Sequence, residues 1–201
     1  MKLNGIYTAL ITPYHNDYSI NEKAYAEVIN TIIEEGVHGV VVAGSTGENY
    51  TQTLEERIHL LKLSSEIIDK RVTFIAGTGG VIRTEDSIRI AQSAKSMDAD
   101  AIMISSPPYA VPTNKENAIY ATSIEQSVNL PVLLYNYPGR TSVHMDKEYL
   151  DIVSKSENFC GIKESSGEID RIDFLIKKYP NIALCCGMDD QDYEYFQAGV
   201  K

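Results

Sequence analysis

Short apolar runs recur along the whole chain and predict a series of β-strands. They begin about every 23–33 residues, which is the length of one βα unit. Most of the runs show no strict polar alternation, as is typical of parallel strands buried on both faces. The seven runs are residues 6–12, 39–44, 72–77, 100–105, 131–136, 159–164 and 182–187.

The stretches between these runs have helical periodicity. Residues 22–35 place five apolar side chains on one stripe, and Gly36 suits the position just after a helix. Thr53 and Glu56 form a capping-box pattern at the start of the next helix. The expected N-caps of the later helices are Thr84, Asn114, Asp146 and Asp170.

Seven βα units without an intervening linker predict one α/β domain over residues 1–201. Two architectures have this pattern, a (β/α)₈ TIM barrel and a doubly wound open sheet. No GxGxxG follows the first run, which disfavours a dinucleotide-binding sheet. A full barrel takes about 250 residues. The pattern alone favours the barrel only slightly, and such a barrel would be truncated after the seventh βα unit, without the eighth strand and the C-terminal helices.

Composition and charge narrow the function. The net charge of −10 disfavours nucleic acid and anionic membranes as partners. No apolar segment approaches the ~18 residues that span a bilayer. Residues 1–14 lack the apolar core of a signal peptide. The three cysteines form no CxxC pair, which favours free thiols in a reducing cytoplasm.

Lys163 interrupts the sixth apolar run, where a lysine is unusual because lysines are rarely buried without a partner. Strand alternation places it on the same face as Gly161, which we expect to leave space for the lysine stem. Burial lowers the pKa of a lysine, and the free amine attacks ketones to form an imine. A lysine that extends from the strand end to water is the alternative.

Other strand ends carry further candidates, since function in parallel α/β folds lies at the carboxyl ends of strands. Ser45 and Thr46 lie in a glycine-flanked loop whose backbone N–H groups can face an anion. Tyr135 is a candidate for proton transfer, and Arg140 for clamping a carboxylate. Tyr109 follows two prolines that stiffen its loop. Each has a simpler structural interpretation, but together they suit a ketone that carries a carboxylate.

The sequence predicts no metal site. Asp189 and Asp190 are adjacent acids without a matching histidine or carboxylate cluster, and they are expected to cap the following helix. The four histidines are scattered, with neither HxH nor HExxH spacing.

Six motifs, taken in order, resemble the dihydrodipicolinate synthase and N-acetylneuraminate lyase family. The resemblance runs from about residue 4 to the C-terminus. The motifs are TALITPY (8–14), GSTGE (44–48), AGTG (76–79), SPPY (106–109), YNYPGRT (135–141) and GIKESSG (161–167).

The resemblance implies a (β/α)₈ homo-oligomer, a tetramer or a dimer, that forms an imine with pyruvate and needs no metal or organic cofactor. Lys163 matches the family's Schiff-base lysine and Tyr135 its proton-transferring tyrosine. Thr46, with the N–H groups of its loop, matches the site for the pyruvate carboxylate.

The resemblance also assigns the remaining candidates. Ser45 and Tyr109 match the other members of the proton relay, and in tetrameric relatives the tyrosine at the Tyr109 position reaches a neighbouring subunit's site. Arg140 matches the arginine that holds the carboxylate of the second substrate. Ser45 stands where the synthases usually have threonine, and Pro108 replaces the first tyrosine of a pair.

These residues lead to one function and two alternatives. The first is a lyase or aldolase that condenses pyruvate with aspartate semialdehyde, as 4-hydroxy-tetrahydrodipicolinate synthase does in lysine biosynthesis. A lyase for N-acetylneuraminate or 2-keto-3-deoxy sugar acids is the second. A non-catalytic homologue or fragment, with a role in binding or assembly, is the third.

Overall fold

Seven parallel strands form one sheet in the computed structural model, which describes residues 1–200. Each strand is hydrogen-bonded to the next one along the chain. The predicted domain ends at Lys201, which lies outside the described residues. The strands are β1 (Tyr7–Ala9), β2 (Gly39–Val42), β3 (Thr73–Gly77), β4 (Ala101–Ser105), β5 (Val132–Asn136), β6 (Phe159–Glu164) and β7 (Ala183–Cys186).

This sequential order confirms the seven predicted strands and decides between the two architectures. In a doubly wound sheet the strand order reverses at a switch point, whereas a barrel follows the chain. Within residues 1–200, β1 and β7 each have a strand neighbour on one side. The described part is thus a seven-stranded portion of a barrel-type sheet, and a closing eighth strand is not among its elements.

Helices follow the strands and cover the outer face of the sheet. Among the described residues, no helix is both long enough and apolar enough to cross a membrane. The helices are α1 (Glu22–Glu34), α2 (Leu54–Ile68), α3 (Thr84–Ser96), α4 (Asn114–Val128), α5 (Pro138–Thr141), α6 (Lys147–Val153), α7 (Asp170–Lys178) and α8 (Asp192–Gln197).

The predicted helix ends are confirmed in part. Thr53 and Glu56 form the capping box, and Gly36 has a φ of +87° after α1, a conformation that glycine adopts without strain. Thr84, Asn114 and Asp170 are first residues of their helices and not N-caps, because the residue before each holds the cap position. Asp146 is an N-cap, although its side chain makes no capping bond.

The sheet separates two apolar layers of different size. The larger layer lies between the strands and the helices and includes Ile102, Leu134 and Ile162. The smaller layer lies on the inner face and includes Val41, Met103, Leu133 and Tyr135. Alternation along each strand therefore sends neighbouring residues into different layers.

Leu3, near the N-terminus, belongs to the inner layer and is buried. A Cβ placed on Gly161 would lie 2.4 Å from Leu3 Cδ1. The absence of a side chain at Gly161 therefore allows the N-terminal segment to pack against the inner face of β6.

Candidate active site

Lys163 lies on the inner face of β6, between Tyr135 of β5 and Cys185 of β7 in the strand register. Its Nζ lies 4.8 Å from the centroid of the Tyr135 ring, a cation–π distance. None of the ion pairs within residues 1–200 involves Lys163. The predicted position of this lysine within a strand, on the face of Gly161, is confirmed.

Burial lowers the pKa of Lys163, because an ammonium group loses hydration inside the sheet. The negative charge of Asp189 opposes this shift, and the guanidinium of Arg140 adds to it. A lowered pKa increases the share of free amine at neutral pH, and the free amine is the nucleophile.

Gly187, and not Gly161, leaves the space for the lysine stem. A Cβ on Gly187 would lie 2.9 Å from Lys163 Cγ and 2.0 Å from Ser165 Oγ. The prediction for Gly161 was wrong because Leu3, which is remote in the sequence, occupies that space. Gly187 follows β7 directly, so the lysine depends on a close approach between the ends of β6 and β7.

The Tyr135 hydroxyl is a second reactive group at this end of the sheet. Burial raises its pKa, while the hydroxyl of Ser45, the charge of Arg140 and the hydroxyl of Ser165 act to lower it. The phenol therefore holds its proton at neutral pH and is suited to donate it.

The loop after β2 offers unpaired backbone donors. Residues Ser45–Gly47 form one 3-10 turn. The N–H groups of Gly47 and Glu48 bond to the carbonyls of Gly44 and Ser45. Within the described part of the chain, the N–H groups of Ser45 and Thr46 have no acceptor, so they are available to an anion such as a carboxylate.

Two side chains hold this loop in place. Thr12 Oγ1 and Gln52 Nε2 both donate to the carbonyl of Gly47, each at 2.8 Å. Ala43, at the start of the loop, has a φ of +54° although it is not a glycine. A left-handed alanine costs about 1–2 kcal/mol, so the surrounding contacts impose this loop conformation.

A cavity of about 400 Å³ opens next to these groups. Lys163 does not line it, but Tyr135, whose ring Lys163 contacts, does. The residues that line it are Ser45, Asn49, Tyr50, Gly77, Gly79, Gly80, Met103, Ser105, Ser106, Pro108, Tyr135, Arg140 and Thr141. The volume suits a small organic acid together with a second small molecule.

Arg140 is one of the residues that line this cavity. It belongs to α5, a single turn that starts with Pro138, and its Cζ lies 5.0 Å from the centroid of the Tyr137 ring. Stacking on the ring orients the guanidinium, and within residues 1–200 its N–H groups have no acceptor, so a carboxylate can bind them.

Two predicted site residues are not brought into this site by their side chains. Tyr109 is 91% exposed, with a φ of +69°, and does not line the cavity. Thr46 is exposed too, and only its backbone N–H is available at this end of the sheet. Ser45, Tyr135, Arg140 and Lys163 gather at one end of the sheet.

Sequence reasoning missed a buried polar network behind the site. Asn136 Nδ2 donates to both carboxylate oxygens of Glu164, at 2.8 and 2.9 Å, and Arg171 Nε donates to Oε2 at 3.1 Å. No role for Glu164 was predicted from the sequence. The sequence signal that could have revealed this network is the glutamate within the apolar run 159–164.

The thiols and carboxylates of this region form no metal centre. Cys160, Cys185 and Cys186 are free, and burial raises the pKa of Cys185 to about 11. Among residues 1–200, no three histidine, cysteine, aspartate or glutamate side chains are grouped closely enough to hold a metal ion.

An all-parallel sheet whose strands follow the chain order defines a barrel-type α/β protein, here with an interior lysine that has no ion-pair partner within residues 1–200. The chain belongs to the Dihydrodipicolinate synthetase family, which it matches over residues 2–201. The resemblance inferred from the motifs is therefore confirmed.

The curated relatives are longer than this chain. The chain is 36% identical over 179 residues to 4-hydroxy-tetrahydrodipicolinate synthase of Ralstonia nicotianae, which is 89% of this chain and 60% of that protein. The chain thus spans less than two thirds of that curated relative.

Solved structures have the same fold. The 4-hydroxy-tetrahydrodipicolinate synthase of Methylacidiphilum fumariolicum superposes with a TM-score of 0.94 at 34% identity, over 99% of this chain and 66% of that one. A Clostridium difficile protein named CdNal, solved in complex with mannosamine, superposes at 0.95 with 25% identity, over 100% and 69%.

Proposed function

We propose that this chain provides the imine-forming site of a pyruvate-dependent lyase or aldolase. The observation that carries the proposal is Lys163, an interior amine that has no ion-pair partner among residues 1–200 and lies against the Tyr135 ring. The cavity, the free N–H groups and Arg140 supply the surroundings that a small keto acid needs.

The proposed reaction begins with attack of the Lys163 amine on the C2 carbonyl of pyruvate. Tyr135 donates a proton to the resulting hydroxyl, which leaves as water, and an imine forms. The pyruvate carboxylate accepts from the N–H groups of Ser45 and Thr46. The Tyr135 phenolate accepts a proton from C3 to give an enamine, whose C3 forms a bond to the carbon of an aldehyde. That proton then passes to the aldehyde oxygen, and water hydrolyses the imine to release the product and the Lys163 amine. The protonated imine is the electron sink, so the proposal needs no metal or organic cofactor.

Aspartate semialdehyde is the proposed aldehyde, which makes the activity that of a 4-hydroxy-tetrahydrodipicolinate synthase in lysine biosynthesis. The carboxylate of aspartate semialdehyde would bind Arg140. The relative from Ralstonia nicotianae is named for this activity. A lyase for N-acetylneuraminate or 2-keto-3-deoxy sugar acids is the second candidate; it rests on Ser45, and the names of the curated relatives do not favour it. The reaction rates of the enamine with aspartate semialdehyde and with a sugar-derived aldehyde decide between the two candidates.

We also propose a closed and oligomeric form of this site. A strand that pairs with both β1 and β7 would complete the barrel. In such a dimer or tetramer, the exposed side chain of Tyr109 would reach the site of a second copy. Three free thiols favour a reducing compartment such as the cytoplasm.

Borohydride reduction in the presence of pyruvate tests the proposal. It should fix pyruvate on Lys163, and peptide mass spectrometry identifies the labelled lysine. Lys163→Ala should abolish the adduct, whereas Lys95→Ala, a change at the opposite end of the sheet, should leave it intact. An adduct on another lysine would overturn the assignment, and a folded chain without any adduct would support a non-catalytic role in binding or assembly.

A further inference from the structure

The buried carboxylate of Glu164 is fully engaged on the outer side of the sheet. Oε1 accepts from Asn136 Nδ2 and from the N–H of Ser166, both at 2.8 Å, and Oε2 accepts from Asn136 Nδ2 and Arg171 Nε. Asn136 Oδ1 in turn accepts from the N–H of Met145 at 3.0 Å. Two strand ends, the segment before α6 and the helix α7 therefore meet at one carboxylate.

This network lies one residue beyond the two reactive side chains. Tyr135 pairs with Lys163 in the register of β5 and β6, and Asn136 pairs with Glu164 in the next position. Strand alternation directs the first pair to the inner face and the second pair to the outer layer. The network thus fixes the last residue pair between β5 and β6, Asn136 and Glu164. The position of this pair sets the separation of Tyr135 and Lys163, the pair before it.

The carboxylate of Glu164 lies on the opposite face of β6 from Lys163, and the guanidinium of Arg171 is paired with it. After burial, the largest effects on the pKa of the lysine come from Asp189 and Arg140. We therefore expect a contribution of Glu164 to the site to pass through the backbone of β6. Because a displacement of about 1 Å costs on the order of 100-fold in rate, this contribution is measurable.

We propose that Glu164, together with Asn136 and Arg171, is a positioning residue that holds Lys163 and Tyr135 in reactive register. The catalytic part of this inference rests on the proposed imine chemistry. The placement of the lysine itself can be tested without pyruvate.

The chain offers a matched control at the other end of the same strand. Asn158 precedes β6, and its Nδ2 donates to Glu125 Oε1, where Ser156 Oγ donates as well. Glu125 is also buried. Glu164→Gln and Glu125→Gln therefore make the same chemical change in two carboxylate–asparagine pairs, one beside the lysine and one remote from it.

The experiment compares these two variants with the unaltered chain. Trace acetylation of Lys163 across pH, followed by peptide mass spectrometry, gives the pKa and the reactivity of its amine. Borohydride trapping gives the rate of imine formation with pyruvate. Thermal unfolding confirms that the comparison is made between folded proteins. We expect Glu164→Gln to change the labelling profile and to slow trapping about 10- to 100-fold, and Glu125→Gln to change neither.

A swap of the two groups guards against simple loss of folding. Asn136→Asp combined with Glu164→Gln restores an amide donor opposite a carboxylate and should recover part of the trapping rate. Equal labelling and trapping in Glu164→Gln and Glu125→Gln would overturn the proposal. If pyruvate labels no variant, the proposed function fails, while the acetylation profiles of Lys163 still decide the positioning role.

Discussion

The two ends of the sheet differ in how their polar groups are paired. The larger cavity, about 770 Å³, lies at the amino-terminal end and is lined by His38, Lys70, Arg71, Lys95 and Asp98, among others. Arg71 donates to two helix carbonyls, Lys95 to the carbonyl of Val128, and Lys70 lies 3.9 Å from Asp98.

The carboxyl-terminal end has the smaller cavity but the unpaired groups. Within residues 1–200, Lys163 has no ion-pair partner. In the same part of the chain, the backbone N–H groups of Ser45 and Thr46 have no hydrogen-bond acceptor. Cations that bond to carbonyls stabilise the fold, whereas a buried amine without a partner is kept at a cost in stability. The proposed site therefore lies at the end of the sheet where the lysine and the loop N–H groups lack partners, and not at the end with the larger cavity.

The strongest test of this comparison uses two tyrosines on the inner face. Tyr135→Phe removes the proton donor at the carboxyl-terminal end and should slow imine trapping about 10²- to 10⁴-fold. Tyr7→Phe makes the same change at the first residue of β1, at the amino-terminal end, and should leave the rate unchanged. Single-turnover trapping kinetics measure both. Similar rates in the two variants would remove Tyr135 from the reaction.

Two glycines separate stability from chemistry. A Cβ on Gly187 would lie 2.9 Å from Lys163 Cγ, and one on Gly39 would lie 2.6 Å from the Tyr7 ring. Both Gly→Ala variants overpack the interior and should lower the free energy of unfolding by about 1–3 kcal/mol, as urea titration would show.

Imine trapping should discriminate between these variants. Gly187→Ala displaces the lysine stem and should slow trapping more than its stability loss explains, while Gly39→Ala should trap at the normal rate once folded. Slow trapping in both variants would mean that the two ends of the sheet are not independent.

The smallest expected effect is a pH dependence of stability. Because the pKa of Lys163 is lowered from its ordinary value of 10.5, the unfolded chain holds this proton more tightly than the native one. Stability from this group therefore rises with pH between the lowered pKa and 10.5, and the penalty is largest below that window.

Lys163→Met removes this penalty. The variant should be more stable than the parent chain at neutral pH, and its advantage should shrink as the pH approaches 10.5. Lys95→Met, which loses the bond to the Val128 carbonyl, should be less stable than the parent. Urea titrations at several pH values measure both differences, and a constant advantage of Lys163→Met would contradict a lowered pKa.

The strands and the position of the lysine could be predicted because their signals are local. Runs such as 39–44 and 131–136 are apolar and end at glycine or asparagine, and Lys163 is visible as a charge in such a run. The family motifs then assigned roles to residues that were individually ambiguous.

The missed features depend on contacts between remote residues. Leu3 takes the space at Gly161, and Gly187 makes the space for the lysine, which no local pattern reveals. A glutamate is usually found at the protein surface. Only the structure shows that Glu164 is bonded to Arg171 and Asn136. The exposure of Tyr109 follows from a loop conformation, φ +69°, that prolines nearby do not determine by themselves.

The neighbouring positions of Lys163 and Cys185 have a consequence for chemoselectivity. In water a thiol loses its proton more readily than an ammonium group. Here the pKa of Cys185 is raised to about 11, while that of Lys163 is lowered from 10.5. The Lys163 ammonium therefore loses its proton at a lower pH than the Cys185 thiol, which reverses the order found in water. Amine-directed probes should accordingly modify Lys163 more readily than thiol-directed probes modify Cys185.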